Sequence, residues 1–158
     1  LLSSSIPNYT IRLGAAAVMG GIIGLDREAH DRPAGLRTHM MTAMAASIFT
    51  ILTLDLYETF ATRSPESNGD PIRVIEAVTA GVAFLAAGAI IQARGRVKGL
   101  TTGAGMWLAG ALGVACGMQN YTVALTGLIL AIFVLAVIRP LEWKLGRKPD
   151  HPSDTPRD

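Results

Sequence analysis

Five apolar runs divide the chain, roughly Tyr9 to Leu25, Thr38 to Tyr57, Val74 to Ala93, Leu100 to Gln119 and Tyr121 to Ile138, with polar segments between them. Each run is close to the ~20 mostly apolar residues that a helix needs to cross a bilayer. All are too long and too continuous for half-buried strands. Because a backbone amide in lipid must find its partner inside its own segment, helices are the expected form. The pattern therefore predicts an all-α, polytopic membrane protein of about five transmembrane helices. The first run is short and carries Arg12, which the sequence alone lets reach back to the interface along its aliphatic stem.

Composition agrees. Charged residues make up 16% and hydrophobic residues 50%, with a mean hydropathy of +0.39, whereas a soluble domain carries about 25% charged residues. The one cysteine, Cys116, lies inside an apolar run, which excludes an intrachain disulfide and a cysteine-type zinc cluster. The pI near 9.0 does not point to nucleic acid, since the basic residues sit at the ends of apolar runs and form no stripe.

Of the fourteen Lys and Arg residues, eleven fall on one side: Arg27, Arg32 and Arg37, then Arg94, Arg96 and Lys98, then Arg139, Lys144, Arg147, Lys148 and Arg157. Arg12, Arg63 and Arg73 fall on the other. By the positive-inside rule the N-terminus is outside and the C-terminus cytoplasmic, and the aromatic residues Tyr57, Phe60 and Tyr121 at outer ends and Trp143 past the inner end fit that placement. The opening Leu1-Leu2-Ser3-Ser4-Ser5 lacks the basic start of a secretory signal, and the missing initiator Met reads as a trimmed start. The polar segment Thr62 to Pro71 reads as an external loop. Residues 1–141 are expected to form the transmembrane domain, and residues 142–158 a cytoplasmic, disordered tail.

Gly20-Gly21-Ile22-Ile23 leads to Gly35-Leu36-Arg37-Thr38, and Gly88-Ala89-Ile90-Ile91 leads to Gly99-Leu100-Thr101-Thr102. Each pair brackets a basic loop, which predicts two parallel helical hairpins plus a fifth helix, the same-sense repeat found in some transporters. Small residues recur every fourth position, Gly105, Ala109, Gly113 and Gly117 in the fourth run and Ala16, Gly20 and Gly24 in the first. Such seams let helix backbones approach closely. They serve internal packing, a homodimer contact or a pore-lining face.

The densest charge lies from Asp26 to His39. Charge so close to lipid-type sequence is either a membrane-edge anchor or a working site. A helix sets Asp26 and Glu28 about 200° apart, and Arg27 could pair with Asp31 one turn on. In a structural lock, Pro33 and Gly35 turn the loop back so that Arg37 grips one of its carboxylates, a role suited to guanidinium. In the rival reading the loop handles ions directly, with Asp26 and Glu28 as Mg²⁺ ligands, although Arg27, Arg32 and Arg37 neutralise the cluster. The candidate functional residues are thus Asp26, Arg27, Glu28, Arg32, Gly35, Arg37 and Thr38, with Gly99, Thr101 and Thr102 in the second repeat. Asp55 and the pair Arg73 and Glu76 read as interfacial. His30 and His39 form no metal motif. With no nucleophile elbow, P-loop or zinc-hydrolase motif, enzymatic activity is not expected.

Those residues carry a resemblance. The run Gly20 to Glu28, then Arg32-Pro33-Ala34-Gly35-Leu36-Arg37-Thr38, Arg73, Gly81, Phe84-Leu85, Ala87-Gly88 and Gly99-Leu100-Thr101-Thr102 with Trp107 resembles the MgtC/SapB family of bacterial inner-membrane proteins from Arg12 to about Leu141. Ala77 stands where the family typically has Gln, and Gly81 to Gly88 has fewer glycines than its usual run. The resemblance implies a multi-pass protein linked to growth in low magnesium and to survival inside host cells, with the membrane ATP synthase as a partner. Magnesium transport belongs to the family's name only. Some relatives carry an ACT-like cytoplasmic domain, which is not expected here. Two functions follow: a non-enzymatic, homodimeric regulator acting through protein contacts, or a Mg²⁺ or other cation transporter.

Overall fold

The computed structural model describes residues 2–30, 32, 34–63, 70, 72–93 and 96–144, and the side chains of these apart from 2–5, 60–63, 91–98 and 137–144. Five helices carry the chain: α1 (Leu2–Glu28), α2 (Leu36–Arg63), α3 (Ile72–Ala89), α4 (Leu100–Gly117) and α5 (Tyr121–Lys144). Helices α2, α3 and α4 are long and apolar enough to cross a membrane, and α5 contributes the shorter apolar stretch Tyr121–Ala136. At 27 residues, α1 extends ~40 Å and carries Arg12 within its outer half. The chain is an all-helical, multi-pass membrane protein.

Two boundaries differ from expectation. The third apolar run was expected to continue to Ala93, but α3 stops at Ala89, and Ile91–Ala93 (β1) pairs antiparallel with Arg96–Lys98 (β2). The β-branched residues Ile90, Ile91 and Val97 favour extended backbone. Gly99 then restarts the chain as α4 with φ 89°, a left-handed conformation that a Cβ would strain. The fifth helix runs on to Lys144, so the domain boundary expected at 141 falls inside a helix. The tail from 145 and most of the external loop lie outside the described residues.

A close trio of α1, α2 and α4 forms the core. Its buried side chains are mostly small, Ala16, Ala43, Ala109 and Cys116 among them, with Ile23 and Leu112, and α5 adds Ala124 and Leu128. Lipid gives apolar side chains no reason to leave it, so close backbone approach holds the helices. A Cβ at Gly20 would stand 2.5 Å from the His39 carbonyl oxygen, one at Gly24 would stand 2.7 Å from Leu36 Cα, and one at Gly113 would collide with the Ala43 carbonyl.

Helix α3 is held more loosely. Only Val82 and Ala86 are buried on it, and Val82 sits against Gly110. Both hairpins, α1–α2 and α3–α4, start their second helix at a leucine just after a glycine, Leu36 after Gly35 and Leu100 after Gly99. Their glycines are not equivalent, however: Gly20 is wedged against α2, whereas a Cβ at Gly88 would meet nothing within 4 Å.

Candidate functional site

At the end of the trio where α1 stops and α2 and α4 start, Arg27 turns inward and is 6% exposed. Its Nη2 donates to Thr102 Oγ1 at 3.3 Å, and its Nη1 lies 3.7 Å from Asp26 Oδ2. Thr102 is fully buried in the first turn of α4, so the guanidinium sits at the positive pole of that helix. Cations there are disfavoured, and the Asp26 carboxylate offsets part of the cost.

Glu28 points elsewhere. Its Oε2 accepts the Leu36 backbone N–H at 2.7 Å. Gly35, which precedes α2, has no side chain to cap the helix, so a carboxylate from α1 supplies the missing acceptor at a favourable pole. Space decides the residue at 35, because a Cβ there would stand 2.6 Å from Glu28 Oε2.

One turn into α2, His39 is completely buried. Its Nδ1–H donates to the Gly35 carbonyl at 2.9 Å, which leaves Nε2 as an acceptor with no partner. A Cβ at Gly105 would stand 3.1 Å from it.

The opposite end of the trio repeats the theme with different chemistry. Arg12 is 7% exposed, and its Nη2 donates to the carbonyl oxygen of Gly117, the last residue of α4. Here the cation meets the negative pole, which is stabilising. The guanidinium also lies 6.0 Å from the centre of the Tyr9 ring, whose hydroxyl donates to Asp55 Oδ2 at 2.7 Å. Past the helix end, Gln119 adopts φ 59° and donates from Nε2 to Asn8 Oδ1 at 2.7 Å. The expectation that Arg12 reaches back to the interface is thus corrected: an unpaired carbonyl at the end of α4 is a nearer partner.

Among the loop residues expected to act together, the structure joins Asp26 to Arg27, Arg27 to Thr102, and Glu28 to Gly35 and Leu36. Among the described residues Arg37 is joined to no carboxylate. Arg32, Arg37 and Thr38 are exposed, as is Thr101, and among the described residues the loop is closed by Glu28 on a backbone amide. Asp31 and Pro33 lie outside the described residues. As Mg²⁺ ligands, Asp26 and Glu28 do not converge, since one faces Arg27 and His30 and the other faces the start of α2. Among the described residues no three His, Cys, Asp or Glu side chains are grouped to hold a metal. Arg73 and Glu76 are exposed without an ion pair between them.

The glycine seams of α1 and α4 both face α2. Gly105 lies at His39, Ala109 is fully buried, Gly113 abuts Ala43, and Gly117 lies at Ser47 and Thr50. The burial of His39 was missed, although a signal existed: His39, Ala43, Ser47 and Thr50 follow at steps of four, four and three in an apolar run, so they share the face that the trio buries.

A model of the MgtC family matches residues 13–144. The chain is 34% identical over 144 residues to an Escherichia coli protein named "Putative magnesium transporter YhiD", covering 90% of this chain and 66% of that protein. To "Protein MgtC" of Salmonella typhimurium it is 31% identical over 141 residues, covering 89% and 57%. To an uncharacterized Synechocystis protein it is 30% identical over 144 residues, covering 91% and 58%. The chain thus spans 57% to 66% of the length of these relatives. No solved structure matches it.

Proposed function

The chain belongs to the MgtC family, and from that premise we propose that it is a non-enzymatic regulator of magnesium homeostasis or membrane energetics, acting through contacts with other membrane proteins. It works in the bacterial inner membrane with its N-terminus outside, its C-terminus in the cytoplasm and a second copy of itself as a partner, and a membrane complex such as the ATP synthase is the target the reading favours. One observation carries the choice of regulator over transporter. The small-residue seam of α4 lies directly on the backbone of α2, with Gly113 on the Ala43 carbonyl and Gly117 against Ser47 and Thr50. A water-filled path along Gly105 to Gly117 has no room there, whereas close packing requires this contact.

The surface offered to a partner is the inner rim, where Arg32, Arg37 and Thr38 are exposed beside the Glu28–Leu36 lock. Among the described residues Arg37 has no ion-pair partner and is exposed, which leaves its charge for recognition. Replacing it, Arg37→Ala, is expected to leave the protein folded and to release its partners in a mild-detergent pull-down. Full retention of all partners by that variant would overturn the reading.

Cation transport is the second reading, favoured by the name of the Escherichia coli relative and by the two same-sense hairpins. Single cysteines placed along Gly105 to Gly117 test it directly. Reaction with a water-soluble thiol reagent, together with Mg²⁺ flux into liposomes, would establish transport, and a dry seam without flux would remove it.

A further inference from the structure

We infer that the cleft between α2 and α3 is a binding groove for one acyl chain of an anionic phospholipid, drawn from the leaflet at which α2 begins. The cleft encloses about 450 Å³ and is walled by Thr42, Phe49 and Thr53 on α2 and by Leu85, Gly81 and Val74 on α3. The helices run antiparallel here, so Thr42 faces the level of Leu85 and Thr53 that of Val74. Each wall spans twelve residues, eleven steps and so about 16 Å at 1.5 Å per step. That length is about half of a ~30 Å hydrocarbon core, the depth of one leaflet.

Size selects the occupant. The empty space between the walls, at most ~890 Å³, has over that length a mean section of no more than about 55 Å², whereas an α-helix with its side chains is ~10 Å wide, about 80 Å² in section. One extended hydrocarbon chain fits, and a partner helix does not. The walls are otherwise apolar, apart from the hydroxyls of Thr42 and Thr53, and the Thr42 hydroxyl is already donated to the Thr38 carbonyl at 2.8 Å.

Charge selects the end from which the lipid enters. Arg37 is exposed at the start of α2, five residues and so about 7.5 Å before Thr42. At the far mouth Asp70 and Glu76 are exposed with Arg73 between them, a net negative set. An anionic headgroup is drawn to the first mouth and repelled from the second. Inside a bilayer the chain gains nothing hydrophobic by entering a groove, so the headgroup supplies the selectivity, about fivefold for one basic group near the membrane surface.

The test uses the full chain in phosphatidylcholine vesicles doped with phosphatidylglycerol that carries a photoreactive group on its acyl chain. Labelling is expected on the peptides around Thr42–Thr53 and Val74–Leu85 in excess of α5, where Leu125, Leu130 and Phe133 are exposed and report ordinary lipid contact. Gly81 and Gly88 provide a matched pair, since a Cβ at either meets nothing within 4 Å and neither variant has a reason to unfold. Gly81→Leu fills the groove and is expected to bring its labelling down to that of α5, while Gly88→Leu, beyond the end of the cleft, leaves it unchanged. Arg37→Gln is expected to lower phosphatidylglycerol labelling about fivefold, to the level of a phosphatidylcholine probe. Equal labelling of groove and α5, or an equal effect of the two glycine variants, would overturn the proposal. A disulfide between two copies of Gly81→Cys would overturn it too, by assigning the groove to a second copy.

Discussion

Helix α4 is held at both ends by an arginine from α1, and the two ends use the charge in opposite ways. Arg12 donates a hydrogen bond to the last carbonyl of α4 and sits at the negative pole, so the helix itself stabilises the cation. Arg27 meets the first turn of α4 through Thr102, at the positive pole, and leans on Asp26 for compensation. The fifteen-residue step from Arg12 to Arg27 sets their backbones about 22 Å apart along α1, most of a bilayer. One end is built as structure would have it. The other keeps a charge where stability alone would remove it, and rule-breaking of that kind marks functional sites.

The largest effects should come from the packing that both ends share. Gly113→Val drives a side chain into the Ala43 carbonyl and Gly24→Val drives one into the start of α2. Each is expected to cost about 3 kcal/mol or more, because backbone cannot yield as a flexible side chain does. Loss of folded protein on size-exclusion in detergent would register this, and a well-folded Gly113→Val would refute the close approach.

Next in size are the arginines, and here the two ends should part. Arg12→Met is expected to lower stability by about 2 kcal/mol, since a charge-assisted hydrogen bond and a favourable pole are lost together. Arg27→Met is expected to cost less than half as much in thermal unfolding while abolishing partner retention. Equal losses of stability would erase the distinction drawn between the ends.

Smaller again is Glu28→Ala, which uncaps α2 and should cost about 1 kcal/mol, with Glu28→Gln recovering part of it by keeping the acceptor. Tyr9→Phe should cost about 0.5–1 kcal/mol, because the hydroxyl bond to Asp55 is only partly buried. A Tyr9→Phe effect exceeding that of Arg12→Met would make the outer end a carboxylate site instead of a helix cap.

What the sequence determined by itself was everything that follows from length, apolarity and the need to satisfy backbone in lipid: five helices, their approximate ends, the small-residue seams and the density of charge from Asp26 onward. Those are properties of single segments, readable from each segment alone. Tertiary structure decided which charge turns inward, since burial of Arg12 and Arg27 depends on which helix end lies opposite, and nothing in α1 names its neighbour. It decided that Glu28 closes the loop onto the bare amide at Leu36. It also decided the fate of His39, whose position in an apolar run was plain while its burial against Gly105 required three helices to meet.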